Sequence, residues 1–162
     1  MAAPVLVEAH GVTALLLDLD GALGDTRPLW RDWLEDAGRV LELEPGRLPE
    51  DRVAAAVALD RSAARNWRTL LERYAADRAT IYLRPAAEVS AALRALAGAG
   101  VRLGVFTDAP RELAVIAVSQ LGAARRVEVI EAGAGALDRL RERLGTDATV
   151  VETRARLLEL AP

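Results

Sequence analysis

Two hydrophobic periods run through this chain. Val12 to Leu17 is apolar or β-branched at every position and stops at Asp18-Leu19-Asp20-Gly21. The run is too short to cross a membrane and has no wet face, so it reads as a strand buried on both sides, as in a parallel sheet. Val101 to Phe106, Val127 to Ile130 and Ala148 to Val151 are further short apolar runs, interrupted by Arg102 and Glu128. Between them the apolar positions recur at helical spacing. Ala86 to Ala97 turns Val89, Leu93 and Leu96 inward, Pro110 to Leu121 stops at Gly122, and Ala136 to Leu144 stops at Gly145. Arg154 to Leu160 makes a short last helix. Strands alternating with helices predict an α/β chain: a parallel sheet with helices on both faces.

The stretch 27–83 breaks that alternation. Pro28 opens a helix carrying Leu29, Trp30, Trp33, Leu34 and Ala37, which Gly38 is placed to end. A connector with Pro45, Gly46 and Pro49 follows. Two further helices are predicted, over 50–59 and over 62–76, the second with Trp67, Leu70, Leu71 and Tyr74 on one face. This is a small helical insert, and its three tryptophans are expected to form its own core. Upstream, Val5-Leu6-Val7 has the composition of a short strand, and His10 reads as a turn or cap residue.

Composition narrows the chemistry. With 162 residues and 52% apolar side chains, the chain supports one domain with an insert. There are no cysteines and one histidine, so thiolate and multi-histidine metal sites are excluded. The net charge of −3 gives no reason to expect nucleic acid or an anionic membrane. No basic region followed by an apolar one opens the chain, so a cytoplasmic protein is expected. All 21 basic residues are arginine, a bias that a GC-rich genome would produce.

The candidate chemistry lies where the first strand ends. Open α/β sheets place their sites at the C-terminal ends of strands. Asp18 and Asp20, two apart, would point the same way in an extended chain, and Gly21 and Gly24 allow a sharp turn that brings both to one spot. Converging carboxylates can hold a hard cation such as Mg²⁺, and one can act as a nucleophile. Acidic residues also end strands and open turns for purely local reasons, so the spacing alone leaves both roles open.

The stretch Asp18-Leu19-Asp20-Gly21-Ala22-Leu23-Gly24-Asp25-Thr26 resembles the first motif of the haloacid dehalogenase (HAD) superfamily, D-x-D-G-T-L-x-D-[ST], with Ala22 in place of the usual threonine. The resemblance implies a HAD-like Rossmannoid core formed by residues 1–26 and 84–162, and a small helical cap at 27–83 over the site. It implies Asp18 as a nucleophile that becomes phosphorylated and Asp20 as general acid/base. Val105-Phe106-Thr107-Asp108 resembles the second motif, which makes Thr107 and Asp108 the phosphate-binding residues. A Mg²⁺ ion would be held by Asp18, by Asp20 through its backbone carbonyl, and by Glu152.

The later motifs depart from the family. The third supplies a lysine, sometimes an arginine, that neutralises nucleophile and phosphate. This chain has no lysine, and the expected position falls near Glu131-Ala132-Gly133-Ala134-Gly135. Arg125 and Arg126 are the nearest substitutes, with Arg111 and Arg154 behind them. In the fourth, Glu152 stands for an aspartate, and Arg156 stands where a second acid is common. The expectation is a HAD-like protein, catalytically impaired or non-catalytic, serving as a binding or partner subunit. The alternative is a Mg²⁺-dependent hydrolase of small phosphorylated substrates acting through an aspartyl-phosphate. The chain stops a short helix after the fourth strand, before the fifth strand of the family. An open edge at 148–151 invites strand pairing, so an oligomer or a heteromeric partner is expected to use a face including residues 148–160.

Overall fold

The computed structural model describes residues 11–162. Val5-Leu6-Val7 and His10 lie outside the described residues. Four parallel strands form one sheet: β1 (Ala14–Asp18), β2 (Arg102–Thr107), β3 (Val129–Ala132) and β4 (Thr149–Val151), in the order β3-β2-β1-β4. The register places Asp18 opposite Phe106 and Leu17 opposite Val151. All strands run the same way, so Asp18, Thr107, Ala132 and Val151 end at one edge of the sheet.

The insert carries α1 (Arg27–Val40), α2 (Arg52–Arg61) and α3 (Trp67–Tyr82). The remaining helices are α4 (Ala87–Gly98), α5 (Arg111–Gln120), α6 (Ala136–Leu144) and α7 (Arg154–Leu160). The continuous apolar run of β1 is used on both sides, as expected. Leu15 and Leu17 pack with α4, α5 and α7 on one face, while Ala14 and Leu16 pack with Leu140 and Leu144 of α6 on the other. Gly104 permits the second contact. A Cβ there would stand 2.6 Å from Leu144 Cδ1 and 2.7 Å from Leu140 Cδ1, so both leucines would have to repack to admit a side chain.

The tryptophan core forms as expected. Trp30, Trp33 and Trp67 are buried, with ring centroids 5.2 to 6.4 Å apart in tilted and edge-on arrangements. It is not closed on itself. Ala109 and Leu113 join it, while Ala114, Ala117 and Val118 of the same α5 face the sheet. Thus α5 is shared between insert and sheet, and the insert is seated on the core along this helix.

Several boundaries differ from the sequence reading. The first insert helix does not end at Gly38, which is buried inside it; α1 continues to Val40. The left-handed residue that turns the chain is Glu42, at φ 53°, with Leu43 N–H donating back to Gly38 O at 3.0 Å. That is a Schellman closure without glycine. The third helix is displaced: α3 starts at Trp67 rather than Ser62 and runs on to Tyr82. Ser62 is diverted into a local turn, its hydroxyl donating to Leu59 O at 2.7 Å and accepting from Ala64 N–H at 3.1 Å. At the far end the helix persists until the approach of Pro85. β3 sits two residues later than the run Val127 to Ile130, because Arg126 and Val127 fold back onto the carbonyl of Ala123.

Candidate functional site

Asp18 is the last residue of β1, and the chain turns sharply after it. Gly24 N–H donates to Leu19 O at 3.0 Å, and Gly21 N–H to Gly24 O at 2.9 Å. Gly21 sits at φ 130°, and a Cβ there would collide with the backbone oxygen of Glu152. Two independent constraints therefore require glycine: the backbone angle and the loop after β4 lying against it. The turn points Asp18 and Asp20 into one cleft of about 500 Å³ together with Arg27, Arg52, Phe106, Thr107, Asp108 and the segment 133–138. The residues of the first two motifs are thus brought together.

Asp18 is half-buried, and burial, followed by the charges of Asp20, Asp108 and Glu152, raises its carboxyl from 3.8 to about 6. A hydrogen bond from Asp20 N–H at 3.0 Å opposes the shift without cancelling it. The surroundings of Asp18 are therefore rich in negative charge. An acid whose pKa is raised by folding holds its proton more tightly in the folded state. Stability from this group is fully present below the ordinary carboxylate range and is lost as pH rises through about 6. Asp18→Asn removes the ionisation. It is expected to raise stability at neutral pH by about 1–2 kcal/mol after allowance for solvent screening, a Tm gain of about 3–6 °C. The gain should vanish below the ordinary carboxylate range. Thermal melts of both proteins in metal-free buffer across that pH span check it, and a pH-independent difference would contradict it.

Asp20 is differently placed. One oxygen accepts from Thr26 N–H at 2.6 Å and Thr26 Oγ1 at 2.8 Å, and the other from the Arg52 guanidinium. Arg52 is the first residue of α2, set by the Asp51 cap whose carboxylate accepts from Ala54 N–H at 2.7 Å. Its side chain is 6% exposed. It donates to Thr26 Oγ1 at 2.7 Å and also reaches Asp108, on the loop after β2. Burial alone would pull its pKa down, but Asp20 and Asp108 outweigh that and hold it above the ordinary value. Among the described residues it is the one buried cation. The sequence reading missed it. The local hint is a cation in the first turn of a helix, the end at which the dipole disfavours it.

Thr107 is buried at the end of β2 and lines the cleft, its hydroxyl accepting from Ala109 N–H at 3.1 Å. Asp108 beside it is half exposed. Glu152, after β4, is exposed and acts on Asp18 through its charge.

The substitutes proposed for the third-motif lysine are placed elsewhere. Arg125 and Arg126 precede β3, at the opposite edge of the sheet from the cleft. Arg111 donates to Ile130 O at 2.9 Å, Arg154 pairs with Glu88 at 3.6 Å, and Arg156 pairs with Glu159 at 3.0 Å. Glu131 turns toward α6, paired with Arg139 at 2.8 Å and Arg143 at 3.1 Å. Arg139 also donates to the carbonyls of Ala132 and Ala134, which holds the loop in shape. The cleft wall here is the segment 133–138, whose one charged side chain is Asp138 and which offers no cation.

A Mg²⁺ ion demands near-octahedral oxygen coordination. Among the described residues no group of three or more histidine, aspartate or glutamate side chains is arranged to hold an ion. Both oxygens of Asp20 are engaged, and a guanidinium links it to Asp108. Asp18 and the backbone carbonyl of Asp20 are the groups that would hold an ion there, and the Asp20 carboxylate is not free to join them. Among the described residues no helix is long and apolar enough to cross a membrane.

Neither a family model nor a curated protein matches the sequence. Solved structures do resemble the fold. CbbY from Rhodobacter sphaeroides, in complex with phosphate, aligns at 16% identity over 76% of this chain and 64% of that chain, with a TM-score of 0.56. A substituted form of the same protein in complex with xylulose-(1,5)-bisphosphate gives the same values. A hydrolase from Pseudomonas syringae aligns at 15% identity over 75% and 61%, with a TM-score of 0.54. The chain thus spans under two thirds of the length of these proteins. At such identities the likeness establishes the architecture: the fold is HAD-like, as the first motif implied.

Proposed function

We propose that this HAD-fold chain has impaired phosphoryl-transfer chemistry and serves as a binding or partner subunit. The observation that supports it is the charge around Asp18. A phosphorylated ligand and a carboxylate nucleophile repel each other unless a cation stands between them. Here Asp18 faces Asp20, Asp108 and Glu152, while the buried cation, Arg52, is committed to Asp20 and Asp108. The test is hydrolysis of p-nitrophenyl phosphate with Mg²⁺ by the wild type and Asp18→Asn. Equal, negligible rates support the reading. Robust turnover abolished by Asp18→Asn overturns it.

The second reading is a hydrolase with Asp18 as nucleophile and Asp20 as acid/base, helped by Mg²⁺. What favours it is the convergence of Asp18, Asp20, Thr107 and Asp108 on one cleft. It requires Asp20 to be released from Arg52.

A role as a partner subunit draws support from the sheet. Among the described residues β4 pairs with β1 and is the end strand, three residues long. We propose that the face containing residues 148–160 carries a protein contact. Light scattering at low micromolar concentration is expected to give a mass above that of one chain. A strict monomer would remove self-association as the form of that contact.

A further inference from the structure

We infer that the cleft continues into a second, apolar compartment along α2, and that this compartment receives the hydrocarbon part, alkyl or aryl, of a small ligand whose polar end lies near Asp18. The inference rests on the reading of the cleft as a binding site and adds to it the class of ligand.

The compartment holds about 240 Å³ and lies between α2 and the loop after β3. Val53, Asp108, Gly133 and Ala134 border both it and the cleft of Asp18, so the two are continuous. On the helix side, Val53, Ala56 and Val57 fall at i, i+3 and i+4 and share one face of α2. Ala55 and Leu59, on the other face, are buried in the tryptophan core. Among the described residues, Val53 and Val57 belong to none of the hydrophobic clusters of the fold, and Val57 is 42% exposed. An apolar stripe without a partner therefore opens on a cavity. Pro110 and the small residues Ala132 to Ala134 face it from the other side.

The polar groups around the compartment are already paired. Gly133 N–H donates to Thr107 O at 2.9 Å and to Ala109 O at 3.0 Å, and the carbonyls of Ala132 and Ala134 accept from Arg139. Asp108 accepts from Arg52. At the outer end Arg68 pairs with Asp60 at 3.0 Å and with Glu112 at 3.3 Å, and Arg111 donates to Ile130 O at 2.9 Å. What is left for a ligand is hydrocarbon surface, where a group gains by leaving water. A charged group placed there would lose its hydration and would have to break these pairings to replace it. The volume suits a short chain or a single ring, the scale of a small-molecule site and not of a protein segment.

The test uses two homologous series that share tails and differ in head charge: n-alkyl phosphates and n-alkylammonium ions, from ethyl to hexyl. Each is titrated into the full chain labelled with ¹³C at the valine methyls, and binding is followed by NMR. In at least one series affinity is expected to rise about two- to fourfold per added methylene, so that hexyl binds at least about tenfold more tightly than ethyl. The methyl signals of Val53 and Val57 are expected to move. Val57→Asp places a charge on the helix wall at an exposed position, and is expected to abolish the dependence on tail length. Affinity independent of length in both series, or no binding in either, overturns the inference. So does a length dependence that persists unchanged in Val57→Asp. If Val57→Asp does not fold, the wild-type shifts decide: movement of Val53 and Val57 supports the inference, and movement confined to other valines overturns it. Turnover is not read, so robust phosphatase activity would sink the proposed function and leave this inference standing. A missing length dependence would sink this inference and leave impaired chemistry standing.

Discussion

Arg52→Ala is expected to destabilise the fold by about 3–5 kcal/mol, the usual cost of removing one partner from a buried ion pair. For a chain of this length that corresponds to a Tm loss of about 10 °C or more. The cost arises from what is left behind. Asp20 remains 8% exposed and loses the donor on one oxygen, keeping only Thr26 on the other. Asp108 suffers less, because it is 52% exposed and water can replace the guanidinium. The contribution of the stranded charge is separable. In Asp20→Asn/Arg52→Ala the uncompensated carboxylate is gone, so the double variant should be more stable than the sum of the single effects by about 1–3 kcal/mol. Urea unfolding of the four proteins measures this. Additive effects would mean that Arg52 stabilises the protein through packing between α2 and the core, and not through charge.

Turnover of a small phosphate ester is expected to lie about 10³-fold or more below that of a comparable site with a cation facing the nucleophile, since such cations are worth about 10³–10⁵ in rate. In most of the wall where that cation is expected, Gly133 to Ala136, no side chain can reach the reacting atoms. Glu131, just upstream, is tied to Arg139 and Arg143 on the α6 side. Arg27 borders the cleft but is exposed and bonded to Asp25 at 2.7 Å, so water screens it. Single-turnover measurement with excess enzyme is the sensitive form of this assay, because it also detects one slow chemical step. A burst of product dependent on Asp18 would contradict the expectation and show that Arg27 or Arg52 moves to meet the ligand.

Much of the architecture was legible because its signals are local. A strand buried on both faces must be apolar throughout, so the run before Asp18 marked β1. The spacing of 86–97, 136–144 and 154–160 marked α4, α6 and α7 to within a residue. Gly21 was required by a turn whose residues lie within four positions of each other. The tryptophans of the insert were identifiable as core because bulky aromatics at helical spacing bury one face.

What the sequence could not show depends on distance along the chain. Gly38 has the right chemistry to end a helix, yet it lies buried within α1, and Glu42 takes the left-handed turn instead. Ser62 could open a helix, but its hydroxyl finds Leu59 O first. Glu131 and Arg139 are drawn together by the packing of α6 on the sheet, and this decides that the third-motif segment offers no charge to the cleft. Arg52 is the clearest case. Its partners Thr26, Asp20 and Asp108 are 26, 32 and 56 residues away. No periodicity links them, and a buried arginine is indistinguishable in sequence from the many that face water. Sequence by itself determined that carboxylates gather at the end of β1. Tertiary structure alone decided that a guanidinium from the insert meets them there, because only the seating of α1–α3 along α5 brings the start of α2 over the sheet edge.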